Sequence, residues 1–136
     1  MKISIITVVY NNKNCILSNI NSVKNQNYPD IEHIIIDGGS TDGTKEIIEA
    51  NANSNTIFIS EPDKGMYDAM NKGLKLATGD IIGTLNSDDI FSDNNVAGDI
   101  AGEFKDNSLD SVFGDIVFIE GDNTEKIQRY YSSQKF

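Results

Sequence analysis

The chain has 136 residues, one cysteine, and 21 acidic against 11 basic side chains, a formal net charge of −10. The length suits one domain, the acidic balance argues against a nucleic-acid partner because it repels phosphate backbones, and Cys15 alone excludes an intramolecular disulfide. No run approaches the ~18 apolar residues of a membrane span, so the expectation is a cytoplasmic protein without a transmembrane segment, any membrane contact being peripheral, at the inner face of the cell membrane.

Taken in chain order, Ile3–Val9 is a β-branched run and is predicted as a buried strand. Ile16, Ile20 and Val23 recur at helical spacing, and Tyr28-Pro29-Asp30 reads as a turn. Residues 31–36 form a second predicted strand, residues 44–50 a short helix carrying Ile47 and Ile48, and Thr56–Ser60 a third strand. Residues 65–77 are predicted as a helix with Met66, Met70, Leu74 and Ala77 on its apolar face and Gly79 closing it. Residues 80–85 are a fourth strand, Val96, Ile100 and Phe104 mark a further helix, and residues 112–119 are a fifth strand broken by Gly114-Asp115. This alternation implies an α/β fold, a mostly parallel sheet flanked by helices on both faces. In such sheets ligands bind beyond the carboxyl ends of the strands.

The residues just past each strand are therefore the candidates for chemistry. They are Tyr10-Asn11-Asn12, then Asp37-Gly38-Gly39-Ser40, then Glu61-Pro62-Asp63-Lys64-Gly65, then Asn86-Ser87-Asp88-Asp89. No basic nest and no G-x-G-x-x-G fingerprint accompanies them, so positive charge for a phosphate has to come from elsewhere. Adjacent carboxylates such as Asp88 and Asp89 disfavour each other's ionised forms unless a cation is near. Mg²⁺ typically takes one or two protein carboxylates and completes its shell with substrate phosphates and water. The same pair is also ordinary turn-capping chemistry. Asp37 reads equally as a turn residue before Gly38-Gly39 and as an acceptor for a base N–H or a ribose hydroxyl. Lys64 either reaches a phosphate or sits in solvent. Gly73 lies inside a helix, where glycine costs ~1 kcal/mol relative to alanine and often marks close packing. Ser40 and Thr41 read as helix-start residues, His33 as a satisfied or surface histidine, Cys15 as a small buried or half-buried residue rather than a nucleophile, since no helix start or basic partner activates it, and the many asparagines, Asn19 among them, as carrying no functional weight.

At these residues the chain resembles the inverting family 2 glycosyltransferases, which have the GT-A nucleotide-diphospho-sugar transferase fold, and within them the branch that builds bacterial cell-envelope polysaccharides. Four segments carry the resemblance: Ile5 to Asn11; Ile36-Asp37-Gly38-Gly39-Ser40-Thr41-Asp42-Gly43-Thr44; Ser60-Glu61-Pro62-Asp63-Lys64-Gly65-Met66-Tyr67-Asp68-Ala69-Met70-Asn71-Lys72-Gly73; and Ala77 through Asp89. The resemblance implies a nucleotide-diphosphate sugar donor, UDP by default, a glycan or lipid-linked saccharide acceptor, and a divalent cation, Mg or Mn. It implies nucleotide contacts around Val8, Tyr10 and Asn11, Asp37 on the base or ribose, and Asp68 and Asn71 in the donor pocket, with Lys64 counted among the nucleotide-sugar-binding residues. It places the DxD-type element on Ser87-Asp88-Asp89, with Asp88 near the ribose and Asp89 on the metal. Asn86 stands at the first of the usual acidic positions, which leaves one carboxylate fewer. Family members continue well beyond this length. The chain is accordingly read as a single family 2 domain over residues 1–136, its N-terminal donor-binding portion, truncated at the C-terminus, with the general base expected beyond Phe136. Asp110, Asp115 and Asp122 are available carboxylates, but none sits in the expected motif.

Three other readings compete. A receiver-type signalling domain would carry its acidic pair after the first strand, where Tyr10-Asn11 stand. A nucleotidyltransferase would open with a glycine-rich basic loop there. A non-catalytic nucleotide-binding remnant fits the same motifs without the transfer step.

Overall fold

The computed structural model describes residues 1–121 and 123–135, which fall into two compact units, residues 1–102 and 103–136. The first unit is built on four parallel strands, β1 (Ile3–Val9), β2 (Ile31–Asp37), β3 (Thr56–Ser60) and β4 (Ile81–Thr84), in the spatial order β3-β2-β1-β4. Ile3 is paired with Ile31 on one side and with Ile81 on the other. The chain thus runs outward from β1 through β2 to β3 and then returns to the far side of β1 for β4. That reversal places a crevice between the carboxyl ends of β1 and β4, the position where ligands of open α/β sheets bind.

Strand side chains alternate between the two faces. On one face Val9 and Ile35 pack against Ile16 and Ile20 of α1 (Ile16–Lys24) and Ile48 of α2 (Thr44–Asn51), with Ile47 and Phe58 at the margin. On the other, Ile6, Ile34 and Ile36 pack against Ala69 of α3 (Met66–Leu76), with Val8, Ile57, Ile59, Leu76 and Ala77 around them. Each fully buried isoleucine contributes about 1.5–3 kcal/mol, and the run Ile34-Ile35-Ile36, wholly buried, supplies both faces at once. A further helix, α4 (Val96–Glu103), buries Ala97 and Ala101.

Two local expectations change. The face that α3 turns inward is Ala69 and Gly73, while Met66 and Leu74 stay 48% and 47% exposed. The reason is proximity: a Cβ on Gly73 would lie 2.6 Å from Cγ2 of Ile6, so the helix sits too close to β1 for long side chains. α3 also ends at Leu76, with Ala77 extended, rather than on a left-handed glycine. Gly79 is small for another reason, since a Cβ there would lie 2.6 Å from Ser4 Oγ and 2.8 Å from the Lys2 carbonyl.

The amino-terminal ends of the strands hold a buried charge. Glu32 accepts from Ser4 Oγ at 2.6 Å, from the Thr78 N–H at 2.7 Å and from Thr78 Oγ1 at 2.9 Å, and pairs with Lys2 Nζ at 2.5 Å. Burial acts to raise its pKa, but Lys2, Ser4 and Thr78 together hold it at about 2.

The second unit is an antiparallel hairpin of β5 (Ile116–Glu120) and β6 (Asn123–Tyr131), followed by a 3-10 turn at Ser133–Lys135. The expected fifth strand therefore begins later, at Ile116, and pairs in a separate sheet rather than extending the parallel one. Residues 112–115 join no strand. There Asp115 accepts from the Ser133 N–H at 2.7 Å, from Ser133 Oγ at 2.8 Å and from the Tyr130 hydroxyl. Asp122 and Phe136 lie outside the described residues.

Candidate functional site

The loops that leave β1, β2, β3 and β4 are laced together at the carboxyl edge. β1 is followed by Tyr10, 63% exposed, and by Asn11, whose φ of 47° is the left-handed turn that asparagine tolerates. The Asn11 N–H donates to Ser40 Oγ at 2.8 Å, and Asn11 Oδ1 accepts from the Thr41 N–H at 2.8 Å. The Asn12 N–H donates to Thr44 Oγ1 at 2.9 Å. Ser40 and Thr41 are thus braces between the first two loops, since α2 starts only at Thr44, after Asp42 has accepted from the Thr44 N–H at 3.0 Å.

Asp37, the last residue of β2, is wholly buried. Its carboxylate accepts from the Gly39 and Ser40 N–H groups at 3.2 and 3.0 Å, from Ser60 Oγ at 2.7 Å, and from Ser40 Oγ. Its own carbonyl accepts from the Glu61 N–H at 3.0 Å, which ties the loops after β2 and β3. Val8, on the strand itself, packs beside the Ile6, Ile34, Ile36 and Ala69 cluster.

Asp88 and Asp89 sit in a turn closed by the Asp89 N–H donating to the Asn86 carbonyl at 3.0 Å. Ser87 Oγ accepts from Asn12 Nδ2 at 3.0 Å, which joins this turn to the loop after β1 across the β1–β4 crevice. Partial burial, and then the adjacent Asp88 carboxylate, push the Asp89 pKa up, while a hydrogen bond from Asn86 opposes the shift. Asn86, Asp88 and Asp89 are all exposed, so the crowding of Asp89 is that of a surface turn. Among the described residues no three acidic, histidine or cysteine side chains gather as a metal cage. Two carboxylates with an amide beside them still fit a hard divalent cation whose remaining ligands are phosphate oxygens and water.

The structure thus brings Tyr10, Asn11, Asp37, Asn86, Asp88 and Asp89 onto one connected rim. Lys64 and Asp68 belong to a second group, at the loop after β3 and the first turn of α3, and Asn71 follows on the same helix, which packs over β1 and β2. Asp68 accepts from the Lys64 N–H at 3.0 Å, which with the nearby Lys72 charge holds its pKa below the usual carboxylate range. Lys72 is bound at the same place, 2.9 Å from Glu61 and 3.6 Å from Asp68. Among the described residues, no hydrogen bond or ion pair joins this group to Asp88 or Asp89.

The residue that sequence reasoning passed over is Asn19. It is wholly buried and donates from Nδ2 to the carbonyls of Asn86 and Asp89 at 2.8 and 2.9 Å. A signal for it existed: Asn19 occupies the i+3 place of the buried stripe Ile16, Ile20, Val23. His33 is the satisfied histidine expected, 2.9 Å from Thr7 Oγ1, and its burial lowers its pKa to about 4. Cys15 is half-buried but stands at the N-cap of α1, a helix start that the sequence had not shown.

Residues 4–135 match the family model described as Glycosyl transferase family 2. An uncharacterised glycosyltransferase of Mycobacterium tuberculosis (strain CDC 1551 / Oshkosh) is 41% identical over 91 residues, 66% of this chain and 35% of that protein. A PGL/p-HBAD biosynthesis glycosyltransferase of Mycobacterium bovis (strain BCG / Pasteur 1173P2) is 35% identical over 104 residues, 72% of this chain and 40% of that protein. The chain therefore spans between a third and two fifths of these relatives. Among solved structures, the mannosyltransferase PcManGT from Pyrobaculum calidifontis, in complex with GDP-Man and Mn²⁺, superposes with a TM-score of 0.75 at 21% identity over 88% of this chain and 36% of its own. S. aureus TarS 1-349 in complex with UDP-GlcNAc superposes with a TM-score of 0.71 at 26% identity over 90% of this chain and 36% of its own. The parallel sheet flanked by helices is the GT-A architecture of these neighbours.

Proposed function

The chain belongs to glycosyl transferase family 2, and on that premise we propose that its first unit binds the donor of a sugar transfer from a nucleoside-diphosphate sugar to a glycan or lipid-linked acceptor, with inversion. One observation carries this reading: the loops after β1 and β4 meet at the topological switch point, joined by Asn12 and Ser87, and the turn they frame bears Asp88 and Asp89. The mannosyltransferase complexed with GDP-Man and Mn²⁺ and TarS complexed with UDP-GlcNAc support the ligand class.

In this reading the exposed ring of Tyr10 gives the base a surface to stack on, flanked by Val8 and Asn11. Asp37, at the end of β2 beside β1, is the acceptor for base or ribose, its carboxylate held in place by Gly39, Ser40 and Ser60. Asn86 and Asp88 take ribose hydroxyls. Asp89 holds Mg²⁺ or Mn²⁺, which when bound supplies positive charge to the leaving diphosphate. That supply matters because a chain of net charge −10 offers no basic nest of its own for the phosphates. Lys64, Asp68 and Asn71 flank the sugar end of the donor. No general base is assigned among the described residues, since Asp115 is taken up by Tyr130 and Ser133. No helix of the described residues is long and apolar enough to cross a membrane, and the same reading places the enzyme in the cytoplasm, at the inner face of the membrane where its acceptor is lipid-linked.

The test is calorimetric titration of UDP, GDP and dTDP, each with and without Mn²⁺, repeated on Asp89→Ala. Binding that requires Mn²⁺ and is lost in the variant is the expected result. A folded wild-type protein that binds none of the three returns the chain to a non-catalytic remnant.

A further inference from the structure

The turn that carries Asp88 and Asp89 is braced from inside the protein by a directional chain of hydrogen bonds. Both end carbonyls of the turn, Asn86 O and Asp89 O, accept from Asn19 Nδ2, at 2.8 and 2.9 Å. Carbonyls offer only lone pairs, so the Asn19 amide must turn its NH₂ toward them and spend both hydrogens there. Its Oδ1 then faces Thr7, whose hydroxyl donates to it at 3.3 Å. With its single proton committed, Thr7 Oγ1 can only accept from His33 Nε2, 2.9 Å away, which fixes the Nε2–H tautomer of His33. The chain runs from β2 through β1 and α1 to the turn.

All three side chains are buried, Thr7 and Asn19 at 0% and His33 at 5% exposure. Thr7 and His33 interrupt the sheet face that carries Ile5, Val9 and Ile35, and Asn19 interrupts the buried α1 stripe of Ile16, Ile20 and Val23. Apolar side chains of similar volume would pack there without the desolvation cost of three polar groups. A buried network that is fully satisfied fixes one arrangement, and the arrangement fixed here is that of the Asp88–Asp89 turn.

We propose that Asn19, oriented by Thr7 and His33, is the positioning residue for the Asp88–Asp89 turn and so sets the affinity for the metal–diphosphate pair; this rests on the donor-site reading above. Neither Asn19 nor Thr7 touches the ligand. Their effect is on where the two carboxylates stand.

The test uses three variants. Thr7→Val keeps the branched shape and removes the hydroxyl, Asn19→Asp keeps the outline and removes both donors, and Thr7→Ser returns the hydroxyl. Amide hydrogen exchange without ligand is read for residues 86–90 against Ile34–Ile36 of β2. The expected result is roughly tenfold faster exchange in the turn of Thr7→Val and Asn19→Asp with β2 unchanged, and wild-type rates in Thr7→Ser. With Mn²⁺, UDP binding weakens roughly tenfold in the first two variants, as is usual for lost outer-shell support, and keeps its wild-type strength in Thr7→Ser. Wild-type exchange in the turn, or loosening of β2 by the same factor, overturns the proposal. If Asn19→Asp does not fold, the Thr7→Val and Thr7→Ser pair decides. Should the wild-type protein bind no UDP, the donor-site reading fails and the exchange rates alone judge the brace.

Discussion

Replacing Gly73 by alanine separates helix propensity from packing. In an open helix the change gains ~1 kcal/mol. Here the new Cβ would meet Ile6 Cγ2 at 2.6 Å, roughly 1 Å inside the ordinary carbon contact of about 3.5–4.0 Å. Ile6 cannot swing away, because it is 2% exposed and locked against Ile34, Ile36 and Ala69. Overpacking of this kind costs about 1–3 kcal/mol, so the net expectation is a loss of ~1 kcal/mol and a Tm lower by about 3–5 °C. Gly98 of α4 is the internal control, since nothing lies within 4 Å of a Cβ built there. Gly98→Ala is expected to raise Tm by a few degrees. Thermal unfolding of both variants, with Ile6→Ala added to Gly73→Ala as a double-mutant cycle, checks the reasoning. Equal shifts of the same sign in the two glycine variants, or strict additivity with Ile6→Ala, would refute it.

Acid should weaken the fold in two windows. Burial depresses His33 from 6.5 to about 4, so the unfolded chain binds its proton first and stability falls as pH drops across that range. Glu32 is depressed from 4.5 to about 2, so its contribution is complete above the upper value and is lost toward the lower one. Each window is worth about 3 kcal/mol; Tm measured against pH should drop in both for the wild type, and His33→Gln should flatten only the upper. Asp37→Asn turns an amide donor toward groups that already donate, including the Gly39 and Ser40 N–H groups and Ser60 Oγ; the expected loss is ~1–3 kcal/mol in chemical unfolding, and an unchanged midpoint would contradict the bonding pattern. Lys72→Met removes the ion pairs to Glu61 and Asp68, which are exposed, so stability should move by less than ~1 kcal/mol; a larger drop in the denaturant midpoint would give the start of α3 a structural weight it lacks here.

The strands and the rim were legible in the sequence for a simple reason. A strand buried on both faces, such as Ile34-Ile35-Ile36, announces itself as an apolar run, and the residues immediately after it are polar because they reach the ligand edge. The inner face of α3 was only partly legible, because hydrophobic periodicity favours Met66, Met70 and Leu74, whereas the short distance to β1 selects Ala69 and Gly73 at its centre, with Leu76 and Ala77 beside them. Asn19 was hidden among many asparagines, since its weight comes from carbonyls 67 and 70 residues away in sequence. β6 carried no burial pattern, as all nine of its residues are exposed. Asp37 was found by position, yet the hydroxyls and amides that hold it could only be counted in three dimensions.

Mn²⁺ itself offers the most direct test of where the donor sits, because it broadens amide resonances near it. With substoichiometric Mn²⁺ and saturating UDP, broadening should centre on residues 86–90 and reach residues 10–13 across the β1–β4 crevice, while amides near Glu32 at the opposite ends of the strands stay sharp. Broadening centred anywhere else, or equally strong in Asp89→Ala, would contradict a donor site at the switch point.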